Sequence, residues 1–351
     1  MAEYGPDART RWFDAGSVAL ESGAVVPGVR IAYRTWGRLS PSADNAILVC
    51  HALTGDANVD RWWGPVIGPG RALDTDRYFV VASNVIGGCY GSTGPTSPHP
   101  STGIPWGPDF PAVTIRDMVA VQHSLVDHLG IRRLALVVGG SMGAMQALEW
   151  AIEHPDVVGS VAPIAVGATH SAWCIGISEA QRQAIQADPA WEDGRYDPRR
   201  PPAAGLAVAR QIAMVSYRSP ESFGERFGRD TNGSGFEVES YLRHQGRKLV
   251  ARFDANTYVL LTRSMDSHDV GRDRGGVAAA LGGIAAPTTV VGITSDVLYP
   301  VAEQRDLVDL VPGARYVELD IPHGHDGFLV DAAAVGEVLA EHLSTVCARA
   351  A

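Results

Sequence analysis

The chain lacks the features of membrane-spanning, exported and disulfide-stabilised proteins. No stretch of its 351 residues reaches the roughly 18 uninterrupted apolar residues that a membrane-spanning helix needs. The first residues carry neither the basic nor the apolar region of a signal peptide, so we expect a cytoplasmic protein. The four cysteines lie far apart and form no C-x-x-C pair, which predicts reduced thiols rather than disulfides or a zinc site.

Charge and length narrow the class of protein further. The formal net charge of −10 argues against nucleic acid or an anionic membrane as the main partner. Apolar residues make up 46% of the chain and charged residues 19%, which is typical of a globular protein. A chain of this length predicts two domains, or one α/β domain with an insertion.

Short apolar runs alternate with helical spacings along the chain. Strands are predicted at 17–20, 29–36, 46–50, 78–82, 134–138, 158–166, 288–293 and 316–319. Helices are predicted at 114–129, directly after Ser141, at 301–310 and from 331 to about 346. The order β-α-β-α-β indicates a mostly parallel sheet with helices on both faces.

One long insertion interrupts this alternation. Residues 168–286 are richer in charge, Arg and Pro, with helical segments predicted at 178–187, 205–217 and 255–265. We therefore predict a core formed by 1–167 and 287–351, and a helical cap formed by 168–286 over the carboxyl edge of the sheet. The Gly- and Pro-rich stretch 87–111 is predicted to form a wall of the active site, since long loops in compact folds are usually functional.

The sequence around Ser141 has the pattern of a nucleophile elbow. Gly139-Gly140-Ser141-Met142-Gly143 follows an apolar run and precedes a strong helix former. Such a turn lifts the serine hydroxyl out of the sheet, and the following helix directs its N-terminal N–H groups at the same place. The pattern predicts a serine nucleophile, whereas G-x-S-x-G alone also occurs in structural turns.

A serine nucleophile needs a base and an acid that orients the base. In α/β-hydrolase folds the chain order is Ser, then Asp or Glu, then His. Asp296 follows the strand at 288–293, although an Asp here could also simply form a turn. His323 and His325 both follow the strand at 316–319. Their H-x-H spacing could bind a metal, but no third ligand stands at a sensible spacing. Spacing favours His325 as the base.

The oxyanion of an acyl-transfer reaction needs two preorganised donors. The N–H of Met142, directly after the nucleophile, is the first candidate. The second is the N–H of Leu53, in the loop after the strand at 46–50. The neighbouring His51 is interpreted as a packed structural residue rather than a catalytic one.

With these pieces placed, the chain resembles the homoserine O-acetyltransferase family of α/β-hydrolase-fold acyltransferases, from about residue 14 to residue 342. The resemblance is carried by the motifs AYRTWG at 32–37, HALTGD at 51–56, GPG at 68–70 with Asp74-Thr75, NVIGGCYGSTGP at 84–95, GGSMGAMQALEW at 139–150, YLRHQG at 241–246, RFDAN at 252–256 and GHDGFL at 324–329.

The resemblance implies roles for single residues. It implies Ser141 as acyl-accepting nucleophile, Asp296 as triad acid and His325, rather than His323, as base. Arg210 matches the arginine that faces the amino-acid substrate, because a guanidinium can form two hydrogen bonds to an α-carboxylate. Without the resemblance, the simpler interpretation of Arg210 is an ion pair on the surface of a cap helix.

Two more residues and the assembly follow from the same resemblance. Asp326 matches the carboxylate that holds the substrate ammonium, and Tyr217 a pocket-lining tyrosine. The family further implies a homodimer formed through the cap helices, no metal, and acetyl-CoA as co-substrate without a permanently bound cofactor.

Three positions depart from the family pattern. Ala144 stands where a second glycine is usual, Gly327 where alanine is usual, and Asn58 where histidine is commoner. All three lie near the predicted acyl and acceptor pockets. Relatives that use succinyl donors, or serine or another alcohol as acceptor, therefore remain open as alternatives.

The predicted function is homoserine O-acetyltransferase, which acts in methionine biosynthesis through an acyl-serine intermediate. The first rival is a serine esterase or thioesterase, which uses the same triad but has no need of Arg210 and Asp326 over the serine. The second rival is a non-catalytic binding module, which would be expected to have lost a triad member.

Overall fold

The structure, a computed structural model, describes residues 4–233 and 235–350. Its strands are β1 (Arg11–Ala19), β2 (Val25–Trp36), β3 (Ala46–Cys50), β4 (Ile67–Gly68), β5 (Leu73–Asp74), β6 (Phe79–Ser83), β7 (Leu134–Gly140), β8 (Val161–Ile164), β9 (Thr289–Ile293) and β10 (Arg315–Leu319). Its helices are α1 (Val59–Trp62), α2 (Ile115–His128), α3 (Met142–Glu153), α4 (Ala172–Gln186), α5 (Ala203–Tyr217), α6 (Pro220–Phe227), α7 (Glu237–Val250), α8 (Ala255–Asp266), α9 (Val277–Gly282), α10 (Val301–Leu310), α11 (Gly327–Val330) and α12 (Ala332–Ala350).

Eight strands form one sheet in the order β1-β2-β6-β3-β7-β8-β9-β10. The six strands from β6 to β10 in this order are parallel, whereas β2 is antiparallel to both β1 and β6. This topology confirms the predicted α/β-hydrolase fold. The edge strand β1 is longer than the predicted segment 17–20, and its register shifts between Asp14 and Gly16 and between Gly16 and Val18 weaken its alternation of apolar residues.

The central strands are buried on both faces. All five residues of β3 are buried. Leu48 belongs to a hydrophobic cluster that includes Leu125 of α2 and Leu148 of α3. Ile47 belongs to a second cluster that includes Leu339 of α12. Because successive side chains of a strand point to opposite faces, helices cover both sides of the sheet, and the strand reads as one continuous apolar run.

Between β8 and β9 the described residues form the helices α4 to α9. The segments that enter and leave this insertion are paired, since the His170 N–H donates to the His268 carbonyl at 2.9 Å and the Val270 N–H to the Ala168 carbonyl at 3.1 Å. The boundaries 168 and 286 of the predicted cap remain a proposal. Helices α6, α7 and α9 were not predicted, because polar side chains dominate α7 and the other two are short.

No helix in the described part of the chain is both long and apolar enough to cross a membrane.

Candidate active site

Ser141 lies at the sharp turn between β7 and α3. Its backbone has φ 58° and ψ −126°, a region that side-chain-bearing residues seldom adopt. The turn requires glycine on both sides. A Cβ at Gly143 would lie 2.1 Å from the carbonyl oxygen of Cys50, and one at Gly139 would lie 2.5 Å from the carbonyl carbon of Gly143. The close approach to β3 therefore explains the two outer glycines of the motif.

His325 and Asp296 form a buried hydrogen-bonded pair. Nδ1 of His325 lies 2.7 Å from Oδ2 of Asp296. The other oxygen, Oδ1, accepts hydrogen bonds from the N–H groups of Leu298 at 2.8 Å and Tyr299 at 2.9 Å. Nε2 of His325 is buried and has no hydrogen-bond partner among the described residues, so it is free to exchange a proton. The carboxylate is thus held by its own turn while it orients the imidazole.

Packing brings this pair to Ser141, the predicted nucleophile. A Cβ at Gly140, the residue before Ser141, would lie 2.5 Å from the ring of Phe328. The Phe328 ring in turn lies edge-on to His325, with the ring centroids 5.7 Å apart. The serine turn and the His325 turn therefore meet at the carboxyl edge of the sheet. Ser141, with 5% of its surface exposed, is nearly enclosed there.

Two opposing effects set the pKa of His325. Burial lowers it, whereas the charge and the hydrogen bond of Asp296, together with the charge of Asp326, raise it. The net result is a pKa above the ordinary value for histidine. His323, the competing candidate for the base, has a buried Nδ1 without a hydrogen-bond partner among the described residues, and it is His325 that contacts Asp296.

The predicted oxyanion donors are uncommitted. Among the hydrogen bonds of the described residues, none has the N–H of Leu53 or Met142 as donor. His51 is fixed beside them: its Nδ1 bonds to the Ala52 carbonyl at 2.8 Å, and its Nε2 accepts from the Val85 N–H at 3.2 Å. Burial lowers the pKa of His51, which keeps the ring neutral and structural.

Arg252, which we did not predict as a site residue, holds the same loop from the cap side. Its Nη1 donates to the Thr54 carbonyl at 2.8 Å, and its Nη2 to the Thr54 hydroxyl at 3.2 Å. The guanidinium also bonds to the Tyr90 hydroxyl and covers the ring of Tyr4 at 3.8 Å. Arg252 belongs to the motif RFDAN, which carries part of the family resemblance. Its role could not be predicted because its partner Thr54 lies 198 residues away in the sequence.

The predicted substrate-binding side chains gather beside His325. The guanidinium of Arg210 lies 5.5 Å from the Tyr217 ring centroid, and that ring lies 5.6 Å from the His325 ring. Burial raises the pKa of Tyr217 to about 12, so the phenol is neutral. No acidic side chain among the described residues forms an ion pair with Arg210, which disfavours the surface ion pair as its role.

Asp326 has a partner that sequence reasoning missed. Nε of Arg218 lies 3.6 Å from Oδ2 of Asp326, and both side chains are largely buried. A Cβ at Gly324 would lie 2.6 Å from the backbone carbon of Arg218, so the end of α5 is pressed against the His325 turn. The cap and the core therefore share this charge pair.

Within residues 4–233 and 235–350, no group of three or more His, Cys, Asp or Glu side chains is arranged to hold a metal ion. All four cysteines are free thiols.

Known proteins resemble this chain in sequence and in fold. A family model described as alpha/beta hydrolase fold matches residues 45–332. A homoserine O-acetyltransferase from Trichormus variabilis is 54% identical over 322 residues, which cover 91% of this chain and 89% of that one. Among solved structures, a homoserine O-acetyltransferase from Bacillus anthracis is 25% identical with a TM-score of 0.89, covering 95% of this chain and 97% of that one. Esterase E22 is 27% identical with a TM-score of 0.90, covering 95% and 99%.

Proposed function

Because the chain belongs to the homoserine O-acetyltransferase family, we propose that it transfers the acetyl group of acetyl-CoA to the hydroxyl of L-homoserine. The product is an intermediate of methionine biosynthesis. The observation that carries this choice of reaction is the Arg210 guanidinium, which lies over the ring of Tyr217, the neighbour of His325, with no acidic partner in the described structure. An α-carboxylate would supply that partner.

In the first step, Ser141 is acylated. Nε2 of His325 takes the proton of the serine hydroxyl, and the serine oxygen attacks the thioester carbon of acetyl-CoA. The N–H groups of Leu53 and Met142 donate to the oxyanion. When the carbon–sulfur bond breaks, the protonated His325 returns its proton to the CoA sulfur. The acetyl-serine ester remains, and Asp296 stabilises the imidazolium formed on the way.

In the second step, homoserine replaces CoA. Arg210 binds the α-carboxylate and Asp326 the ammonium group, which brings the substrate hydroxyl to the acetyl carbon. His325 takes the hydroxyl proton, the new ester bond forms, and the proton passes to the oxygen of Ser141 as it leaves. Fixed orientation gives the alcohol an advantage over water, because effective molarities in such sites reach about 10⁵ M or more.

The rival activity is ester hydrolysis. The close structural likeness to esterase E22 favours it as a second candidate, since hydrolysis uses the same nucleophile, base and oxyanion donors. An esterase, however, needs no zwitterion-binding pair above its serine. Arg210 and Asp326 are therefore the residues that distinguish transfer from hydrolysis.

Intact-mass analysis tests the proposal directly. The protein is mixed with acetyl-CoA or succinyl-CoA, and any acyl adduct is then chased with homoserine, serine or buffer alone. We expect an acetyl adduct that homoserine discharges at least 100 times faster than buffer, because a bound, oriented hydroxyl competes well with water. Ser141→Ala serves as control and should form no adduct. Discharge by buffer as fast as by homoserine would establish the esterase instead.

The donor and acceptor alternatives are decided in the same experiment. A succinyl adduct formed in preference to the acetyl adduct would assign the succinyl donor, and faster discharge by serine would assign serine as acceptor. We propose that no cofactor is bound permanently and that the enzyme acts in the cytoplasm.

We also propose a homodimer formed through the cap helices. Trp173 of α4 is 59% exposed and Val215 of α5 is 55% exposed, and both line an apolar surface cavity of about 590 Å³. Exposed apolar patches of this kind mark protein–protein contacts. Light scattering after size exclusion should give twice the mass of the chain, and Val215→Asp should shift the protein towards the monomer. A wild-type protein that is monomeric at micromolar concentration would refute the dimer.

A further inference from the structure

Tyr299 contacts both partners of the catalytic hydrogen bond. Its backbone N–H donates to Oδ1 of Asp296 at 2.9 Å, and its ring lies against His325 with centroids 5.3 Å apart and planes inclined by 35°. The side chain is completely buried. One residue therefore packs against the base and also holds the acid.

The hydroxyl of Tyr299 is hydrogen-bonded to a residue at the start of the cap insertion. It lies 2.8 Å from Nδ1 of His170. His170 is buried and stands where the chain leaves the core, and its N–H bonds to the carbonyl of His268, where the chain returns. The far end of the tyrosine ring is thus attached to the base of the insertion, whereas its backbone belongs to the turn after β9.

The direction of the hydrogen bond follows from the surroundings of His170. Its Nε2 lies 3.5 Å from the Ser178 hydroxyl oxygen and 3.7 Å from Oδ1 of Asp266, whose other oxygen is paired with Arg182 at 2.7 Å. Burial lowers the pKa of His170 to about 3, so the ring is neutral. A neutral ring with its single proton on Nε2, towards the Ser178 hydroxyl and the Asp266 carboxylate, leaves Nδ1 to accept the proton of the Tyr299 hydroxyl.

We propose that Tyr299, held by His170, is a positioning residue that fixes the His325–Asp296 pair, and that it transmits the placement of the cap to the triad. The proposal rests on the proposed function only in assigning acyl-transfer chemistry to Ser141 and His325. A tyrosine ring without its hydroxyl bond keeps its volume but can pivot. His325 then loses the flat surface that fixes its angle, and small misplacements of a base reduce rates strongly.

The test measures acylation of Ser141 by p-nitrophenyl acetate, which needs neither CoA nor homoserine. We compare Tyr299→Phe, His170→Leu and the double variant with the wild type. Each single variant should slow acylation about tenfold at an unchanged half-saturating ester concentration. The double variant should be no slower than either single one, because both remove the same hydrogen bond.

Two controls separate positioning from general damage. His170→Asn keeps an acceptor oxygen in place of Nδ1 and should acylate within about threefold of the wild-type rate. Tyr258→Phe is the matched change at another fully buried tyrosine, whose hydroxyl bonds to Gln181 at 2.7 Å within the cap, and it should leave acylation unchanged.

Three results would overturn the proposal: a wild-type rate in Tyr299→Phe, additive losses in the double variant, or an equal loss in Tyr258→Phe. The proposed function fails separately. A wild-type protein that p-nitrophenyl acetate acylates, but that passes no acetyl group to homoserine, contradicts the transferase and leaves the role of Tyr299 measurable.

Discussion

His325 and Asp296 share a hydrogen bond of 2.7 Å in an interior where the two residues are 3% and 4% exposed. Burial alone would make this imidazole a weak base, since it disfavours the charged form. The carboxylate reverses that effect and raises the pKa of His325 above the ordinary value of 6.5. Asp296 therefore makes the imidazole of His325 a stronger base. The imidazole is mostly unprotonated only at a pH above this raised pKa.

The rate of acylation should depend on pH accordingly. The charged or titratable groups that act on or pack against His325 include Asp296, Asp326, Tyr217, Tyr299 and His170. The neutral imidazole is the active form, so the rate should rise with pH and reach half of its plateau above pH 6.5. Stopped-flow acylation by p-nitrophenyl acetate between pH 5 and 9 measures the midpoint.

Asp296→Asn is the matched variant for this profile. Without the Asp296 carboxylate, burial is opposed only by the charge of Asp326, so the midpoint should move to lower pH than in the wild type. The plateau should fall by about 10⁴-fold, because the imidazole loses its orientation and the stabilisation of its charged form. A midpoint that stays in place would show that Asp296 does not control the base.

The elbow should tolerate no side chain at Gly143. A methyl group there would lie 2.1 Å from the Cys50 carbonyl oxygen of the central strand β3. We expect Gly143→Ala to lower the free energy of unfolding by about 3 kcal/mol. Ala144→Gly, one residue on, introduces the residue that the family resemblance leads us to expect, and should cost about 1–2 kcal/mol through lower helix propensity and the loss of a buried methyl group. Urea denaturation measures the free energy of unfolding of both variants. Equal losses of stability in the two variants would contradict the steric requirement at Gly143.

Arg210 should affect only the second half-reaction. Arg210→Ala removes a charge-assisted contact worth about 1.5–3 kcal/mol, so the KM for homoserine should rise roughly 10- to 150-fold. Acylation by acetyl-CoA, followed by intact mass, should stay within twofold. Arg263→Ala, an exposed arginine of α8, is the control and should change neither value. A lower acylation rate in Arg210→Ala would place Arg210 on the donor side instead.

Arg252 should affect the first half-reaction through the oxyanion loop. It holds both oxygens of Thr54, the residue after Leu53. Arg252→Met removes these donors, and a loosened Leu53 N–H should slow acylation about tenfold. Arg252→Lys keeps one donor to the carbonyl and should recover part of the rate. If both variants acylate Ser141 at the wild-type rate, the loop is held by other contacts.

Local sequence patterns predicted most elements of the core. The predicted strand 46–50 is β3, and the predicted helix 301–310 is α10. Both were predictable because a continuous apolar run and a 3.6-residue spacing are visible among residues close in sequence. The cap was predicted less well. α7 begins with EVESYLRHQG and is mostly polar, so no conspicuous set of apolar residues marked it as a packed helix. Its burial against α5 depends on a partner that no local pattern specifies.

The sequence by itself determined the strand–turn–helix unit around Ser141, because an apolar run, a turn with glycines on both sides and a strong helix former stand in adjacent residues. It also placed an acid and two histidines after late strands, because the carboxyl ends of parallel strands meet at one edge. Only the tertiary structure decided which histidine faces Asp296, that Arg218 pairs with Asp326, and that Tyr299 reaches His170. These contacts join residues from 29 to 129 positions apart, and their geometry depends on the packing of cap against core.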